Sequence, residues 1–462
     1  MLFNTPVFWL FFIAVYLAYV ALLRTTNARL WLLLMASLFF YGCWNPAFVP
    51  LLLFSIAVDF YAGRAMPDAS PRRKRLLLVA SLGVNLGALA VFKYSNFFTQ
   101  SMLNPIFAGF ELDLWIPKLE ILLPVGISFY TFQSMSYTID VYRGQFQPRR
   151  DFLRFATSIA FFPQLVAGPI VRAAHLIPQV ENGPRIDWAS TRFGLVLIAA
   201  GLVKKTLADL LARVAEAGFD GQGAQSLIET WSAVLAFAGQ IYCDFAGYTD
   251  IAIGLGLMMG FSFPRNFDLP YLSVSPIDFW RRWHISLSSW LRDYLYIPLG
   301  GRLLRYRNVL ITMVLGGLWH GANWTFLAWG FYHGMLLMVA HGLRDHSGDR
   351  LRGIPRPLSI AFTFYLVLIG WVFFRAQSLD VAWDIIGRLH GSTLGVEASA
   401  HASLDLLLVL SAVVFSHLLD WAVLTRRDVI ERPLWFWPSL VTGLTVALLW
   451  GGTGQEFIYF RF

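Results

Sequence analysis

The stretch VLITMVLGGLWHGANWTFLAWGFYHGMLLMVAHG, residues 309–342, decides how this chain is read. Two apolar runs meet at the junction Trp319-His320-Gly321-Ala322-Asn323. The first run starts beside a basic cluster ending at Arg307, 13 residues before His320. That is about 20 Å of helix at 1.5 Å per residue, which places His320 well inside a hydrocarbon core roughly 30 Å thick. The second run returns toward Arg344, Arg350, Arg352 and Arg356, so residues 321–323 are expected to form the turn of a re-entrant or closely packed hairpin. A histidine at that depth needs a polar cavity or a partner. Two readings stay open on position alone: a functional group, or a side chain hydrogen-bonded between helices as packing glue. A neutral imidazole, with an ordinary pKa of ~6.5, is suited to taking a proton from a hydroxyl nucleophile, and this favours a general base.

Working outward, the 462 residues are 57% hydrophobic and 14% charged, the balance of an all-α polytopic integral membrane protein. The 18 Trp, 17 Tyr and 40 Phe suit headgroup-level anchoring and the filling of helix contacts. The net charge of +8 does not point to nucleic acid, because Arg and Lys lie in short clusters between apolar runs. Cys43 and Cys243 show neither CxxC spacing nor a neighbouring His pair, so neither a disulfide nor a metal site is expected. Val7 to Leu23 lacks a basic flank and a small-residue cleavage signal and reads as a retained helix.

Runs of spanning length lie near 7–23, 76–93, 121–141, 192–213, 228–245, 322–343, 358–375, 403–424 and 435–452, with shorter ones near 30–43, 47–62, 152–171, 250–263 and 308–320. About 11–14 membrane helices are expected, some short or re-entrant. The basic clusters around Arg24/Arg29, Arg72 to Arg75, Arg143 to Arg154, Arg302 to Arg307, Arg344 to Arg356 and Arg426/Arg427 are assigned to the cytoplasmic side. The less basic connections at 95–120, with Glu111, Asp113 and Glu120, and at 376–402, with Asp380, Asp384 and Glu397, are assigned outside. Parity of crossings then requires 30–43 and 47–62 to form a hairpin with Asn45-Pro46 at its tip, and puts both chain ends outside. Irregular backbone is expected at 161–171, 264–300 and 316–324, where it must face protein or a water-filled cavity.

A second chemical stretch is PIDFWRRWHISLSSWLRDYLYIPLGG, residues 276–301. Asp278, Arg281, Arg282, His284, Arg292 and Asp293 alternate there with Trp280, Trp283, Trp290, Tyr294 and Tyr296. Such a segment lies in the membrane interface or dips into it. It reads either as a surface anchor or as a cytoplasmic mouth whose guanidinium groups face an anionic cofactor, with His284 close to His320. Asp244 and Asp250 in IYCDFAGYTD, and Asp140 beside Arg143, read as halves of structural Asp-Arg pairs. His333 and His341 read as packing or interface residues, and Gly254/Gly256 as a close-packing pair.

The runs GISFYTFQSMSYTIDVYR, FFPQLVAGPIVR, YCDFAGYTDIAIGLGLMMGF, FWRRWHISLSSWLRDYLYIPLGG and LGGLWHGANWTFLAWG, in this order, resemble the membrane-bound O-acyltransferase (MBOAT) family, most closely its bacterial alginate O-acetylase branch. The ending FIYFRF looks similar too. The resemblance implies a single MBOAT membrane domain with a transmembrane tunnel: N-terminal helices at 1–115, a catalytic core at 116–375 and C-terminal helices at 376–462. It implies that His320 is catalytic, as base or as relay of the acyl unit, and that His284 polarises the thioester. Arg281, Arg282, Asp278, Trp283 and Asn323 are then donor-binding residues. It further implies acetyl-CoA as donor substrate, no tightly bound cofactor and no metal. The expected setting is the bacterial inner membrane, with a periplasmic SGNH/esterase-like partner and polysaccharide biosynthesis proteins completing transfer to a glycan. Rival readings are peptidoglycan O-acetylation, D-alanyl transfer to teichoic acid, a structural scaffold and a multi-helix transporter. The transporter calls for paired broken helices in two related halves, and no such repeat is seen.

Overall fold

The computed structural model describes residues 1–22, 25–112, 114–166, 168–220, 226–347, 354–392, 396–425, 436–438, 440–443, 445 and 458. Arg24, Asp113, Arg350, Arg352, Arg426 and Arg427, most of the span expected at 435–452 and all of FIYFRF except Ile458 lie outside the described residues. Among the described residues every regular element is helical. The chain divides into two units, one of Met1–Asp187 with Gly256–Pro264 and the other of Trp188–Leu255 with Arg265–Phe462. These units follow which helices pack together, whereas the sections at 115 and 375 are those that the family resemblance implies.

The first unit opens with α1 (Pro6–Ala21), α2 (Thr26–Gly42) and α3 (Phe48–Ala65). The expected hairpin between α2 and α3 is present, and the Asn45 side chain accepts the Ala47 N–H at 2.9 Å in its turn. Ser70 caps α4 (Pro71–Leu89) ahead of a proline at its first position. The run expected to end at 93 continues through a π turn at Ala90–Tyr94, α5 (Ser95–Phe98), a second π turn at Thr99–Leu103 and α6 (Asn104–Gly109). The returning coil lies against this rod through two asparagines. Asn104 pairs with both backbone groups of Ile116 (3.0 and 2.9 Å) and Asn96 with both of Leu119 (2.8 and 2.8 Å). Such side chains satisfy a coil's backbone where no strand does. The run expected to start at 121 becomes helical only at α7 (Ile127–Tyr142), because Gly126 takes a left-handed φ of 72°. The expected break at 161–171 separates α8 (Phe152–Ala160) and α9 (Phe162–Leu165), after which α10 (Ala173–Asn182) follows.

Asp59 ties α3, α4 and α7 together. Its fully buried carboxylate accepts Asn85 and Thr138, each at 2.9 Å, and the hydroxyls of Ser81 and Ser134. A buried carboxylate surrounded by four donors serves as interhelical glue.

The second unit contains α11 (Trp188–Phe219), α12 (Leu227–Met258), α13 (Pro276–Arg282), α14 (Ile285–Leu291), α15 (Arg305–His320), α16 (Trp324–Ser347), α17 (Arg356–Arg375), α18 (Leu379–Leu389) and α19 (Ala402–Thr425). The runs at 228–245 and 250–263 are mostly one helix, α12, of 32 residues, since no proline or turn signal interrupts them before Met258. Gly201 and Gly247 let α11 and α12 touch backbone to backbone: a Cβ on Gly247 would lie 2.7 Å from the Gly201 carbonyl oxygen. That approach brings Lys204 and Lys205 onto four carboxylates. Lys204 pairs with Asp250 and, at 2.5 Å, with Asp420 of α19, while Lys205 pairs with Asp209 and Asp244 at 2.8 Å each. The partners of Asp244 and Asp250 are therefore lysines of α11, where arginines were expected. The correction rests on contact between helices that are distant in sequence.

Among the described residues, five helices are long and apolar enough to cross a membrane by length and composition: Phe48–Ala65, Pro71–Gly109, Trp324–His346, Arg356–Arg375 and Ala402–Thr425. Four more, α1, α2, α7 and α15, have 16 or 17 residues: α2 and α15 fall on the runs expected to be short at 30–43 and 308–320, and α1 and α7 on runs expected to span at 7–23 and 121–141. Replacing one member of a buried ion network tests this architecture. Lys205→Met strands two buried carboxylates and is expected to destabilise the fold by about 3–5 kcal/mol. Thermal unfolding of the purified protein in detergent would show a lowered midpoint.

Candidate active site

His320 ends α15, and the site is built by the hairpin that α15 makes with α16. Three glycines set how near the two helices come. A Cβ on Gly317 would lie 2.2 Å from the Phe326 carbonyl oxygen, one on Gly330 2.4 Å from that of Met313, and one on Gly334 2.8 Å from the Leu310 side chain. The facing pairs 317/326, 313/330 and 310/334 are the register of an antiparallel hairpin whose turn is Gly321 to Asn323. Gly321 also sits against the Phe326 ring, where a Cβ would come within 2.0 Å. Asn323 holds the turn: its Oδ1 accepts the Thr325 N–H at 3.3 Å and its Nδ2 donates to the Gln377 carbonyl at 3.2 Å.

The hairpin leaves the His320 imidazole buried at 3% exposure. Trp319 and Trp329 have ring centroids 5.0 Å away and Phe374 5.2 Å away. His284 comes to 6.5 Å from His320, fully buried, with Phe245 edge-on at 4.6 Å and Trp319 at 6.0 Å. The two histidines, 36 positions apart in sequence (320 minus 284), thus share one aromatic enclosure.

His284 is held there by an unusual backbone. It links α13 to α14 in the left-handed region, with φ 43° and ψ 55°, a conformation that costs a non-glycine residue of order 1–3 kcal/mol and persists only where its surroundings impose it. Asn266 imposes it from across the loop. Its carbonyl accepts the Ile285 N–H at 2.9 Å and its side-chain oxygen accepts the Ser286 N–H at 3.1 Å. The neighbouring Asp268 N–H donates to the Arg282 carbonyl at 3.0 Å. Asn266 is buried at 1% exposure. Nothing in the sequence singles it out beyond its place in the irregular stretch 264–300.

The remaining residues expected at the donor side separate into four positions. Arg281 is exposed. Arg282 is half-buried and turned onto its own helix, with Nε 2.9 Å from Asp278 and Nη1 donating to the Asp268 carbonyl at 3.2 Å. Trp283 is buried in aromatic packing, stacked on Phe279 at 5.6 Å and tilted against Trp371 at 4.8 Å. Asn323 lies at the hairpin turn and not with this group. Among the described residues no cluster of three or more His, Cys, Asp or Glu could hold a metal ion.

A multi-pass helical membrane protein with two histidines enclosed at the end of a helical hairpin is suited to activating a hydroxyl beside an acyl group. Residues 148–379 match the family model of the MBOAT, membrane-bound O-acyltransferase family. With relatives above 40% identity along most of its length, the chain belongs to that family and is an O-acyltransferase. A probable alginate O-acetylase of Pseudomonas putida is 44% identical over 400 residues, covering 84% of this chain and 80% of that protein. The peptidoglycan O-acetyltransferase of Helicobacter pylori is 37% identical over 430 residues, covering 85% and 80%. A teichoic acid D-alanyltransferase of Streptococcus thermophilus is 26% identical over 290 residues, covering 56% and 69%.

The Asn266 clamp has a measurable consequence. Asn266→Ala removes its side-chain hydrogen bond to the buried Ser286 N–H, a loss of about 1–3 kcal/mol. We expect turnover to fall roughly tenfold or more while the protein still inserts and purifies normally. Rates close to wild type would show that His284 keeps its place without the clamp.

Proposed function

We propose that this chain moves an acetyl group from acetyl-CoA, offered at the cytoplasmic face, toward an extracytoplasmic polysaccharide of the alginate or exopolysaccharide kind. The observation that carries the reading is the enclosed pair His284 and His320 at 6.5 Å. His320 takes the proton from the hydroxyl of a first acceptor, from which the partner proteins later pass the acetyl group to the polysaccharide, as its oxygen attacks the thioester carbonyl. His284 donates a hydrogen bond to the oxygen on which charge develops. When the carbon–sulfur bond breaks, the leaving thiolate recovers the proton from His320. An acetyl ester and free coenzyme A result, and both histidines return to their starting state. The surrounding rings exclude water, which would otherwise compete as the attacking hydroxyl.

The acetyl unit and the polysaccharide acceptor are supported by the greater identity to alginate O-acetylases than to the teichoic acid D-alanyltransferase, 44% against 26%. The setting is the bacterial inner membrane, because the basic loops then lie beside the cytoplasmic donor pool. A periplasmic SGNH/esterase-like acetyltransferase and polysaccharide biosynthesis proteins complete the delivery. In this reading Arg281 and Arg282, supported by Asp278, attract the donor's phosphates at the cytoplasmic mouth.

Two measurements test the proposal. His320→Ala is expected to lower polysaccharide acetylation by at least roughly 100-fold with expression and helix content intact, and retention of most activity would remove His320 from the chemistry. Labelled acetyl-CoA should acetylate from inside-out vesicles, and labelling only from right-side-out vesicles would overturn the donor side. Acetyl analysis of a deletion strain separates acceptors, since loss confined to peptidoglycan would replace the exopolysaccharide reading.

A further inference from the structure

A third histidine adjoins the pair. His333 lies on α16 at 1% exposure, and neither of its ring nitrogens has a hydrogen-bond partner among the described residues. It stands edge-on to Trp280 at 5.2 Å and to Trp329 at 5.0 Å. The indole N–H groups of Trp280, Trp329 and Trp371 likewise have no hydrogen-bond partner there. Trp371 stacks on Trp329 at 6.3 Å, and Trp329 is the ring 5.0 Å from His320. Gly370 lets the α17 backbone pack close against one end of the imidazole, for a Cβ there would lie 2.5 Å from His333 Nε2. The buried nitrogens of these four rings, of which Trp280 is itself half-buried, would each cost about 1–3 kcal/mol if left unpaired. A ligand that pairs them removes that cost.

The chemistry of the row selects the ligand. Indoles only donate, and a neutral imidazole donates through one nitrogen and accepts through the other. The complement is acceptor-rich, carries at least one N–H of its own and tolerates apolar walls. A secondary amide meets all three conditions. A phosphate offers acceptors alone and needs cations in a low dielectric, and an alkyl chain offers neither donor nor acceptor. The row also has a direction: Trp280 adjoins Arg281 and Arg282 on α13, and Trp329 adjoins His320. Resting on the donor reading given above, we propose that His333, Trp280, Trp329 and Trp371 form a subsite for the amide-bearing arm that joins the nucleotide of coenzyme A to its thioester. His333 is thereby a positioning residue that sets where the carbonyl stops beside His320.

The test is equilibrium binding to the purified full-length protein in lipid nanodiscs. Coenzyme A is compared with adenosine 3′,5′-bisphosphate, which has the nucleotide and lacks the arm. His333→Phe and Trp280→Phe keep an aromatic ring and remove the hydrogen-bonding nitrogens. Each is expected to weaken coenzyme A roughly tenfold and to leave the bisphosphate unchanged, while His333→Gln, which retains a donor and an acceptor, recovers most of the affinity. Unchanged coenzyme A affinity in both phenylalanine variants, or equal weakening of both ligands, would overturn the subsite. So would lost affinity for an acceptor oligosaccharide in place of coenzyme A. Failure of the wild-type protein to bind coenzyme A would instead overturn the donor reading beneath it.

Discussion

The centre depends on how closely α15 and α16 approach. With Gly317 2.2 Å and Gly330 2.4 Å from the opposing carbonyl oxygens, measured at the position of an added Cβ, no larger residue fits at either site. Lipid supplies no hydrophobic force to drive such helices together, so contact area and small residues must hold them. The reward is a turn at Gly321 to Asn323 that stays inside protein. There its non-helical backbone is tolerated, and His320 is delivered to a fixed point with aromatic rings on every side described.

The same rule, that polar groups in a membrane must be satisfied from within, organises the polar interior of each unit. Asp59 gathers four donors from two neighbouring helices. Lys204 and Lys205 each take two carboxylates. These groups are heavily partnered, and they serve cohesion. The row of His333 and the indoles differs in kind, since its nitrogens find no hydrogen-bond partner among the described residues.

The sequence made His320 legible because its position is a local property: distance from a basic cluster, an apolar run, and glycines at the turn. His284 and its approach to His320 entered through a family resemblance and the alternation of residues 276–301. The aromatic spacing there cannot show that His284 adopts a left-handed backbone. What was not legible depends on contacts between distant helices. Lys204 and Lys205 look like ordinary interface lysines inside α11 until α12 and α19 bring carboxylates to them. Asn266 looks like a loop residue until its side chain is seen on the Ser286 N–H. The helix bounds missed for the same reason. The extension to Gly109 needs Asn96 and Asn104 to pin the returning coil, and no window of hydropathy contains that pairing.

The two histidines are held by opposite means, and this bears on their roles. His320 closes a regular helix in unstrained backbone, among the rings of Trp319, Trp329 and Phe374. His284 sits in a strained backbone clamped by hydrogen bonds before and after it. A group that stabilises developing charge gains most from being fixed beforehand, because reorganisation during the reaction then costs little. A group that exchanges protons needs access to two positions, donor sulfur and acceptor oxygen. The proposed division of labour, with His320 as base and His284 as polarising donor, thus agrees with the backbone that holds each as well as with where each lies.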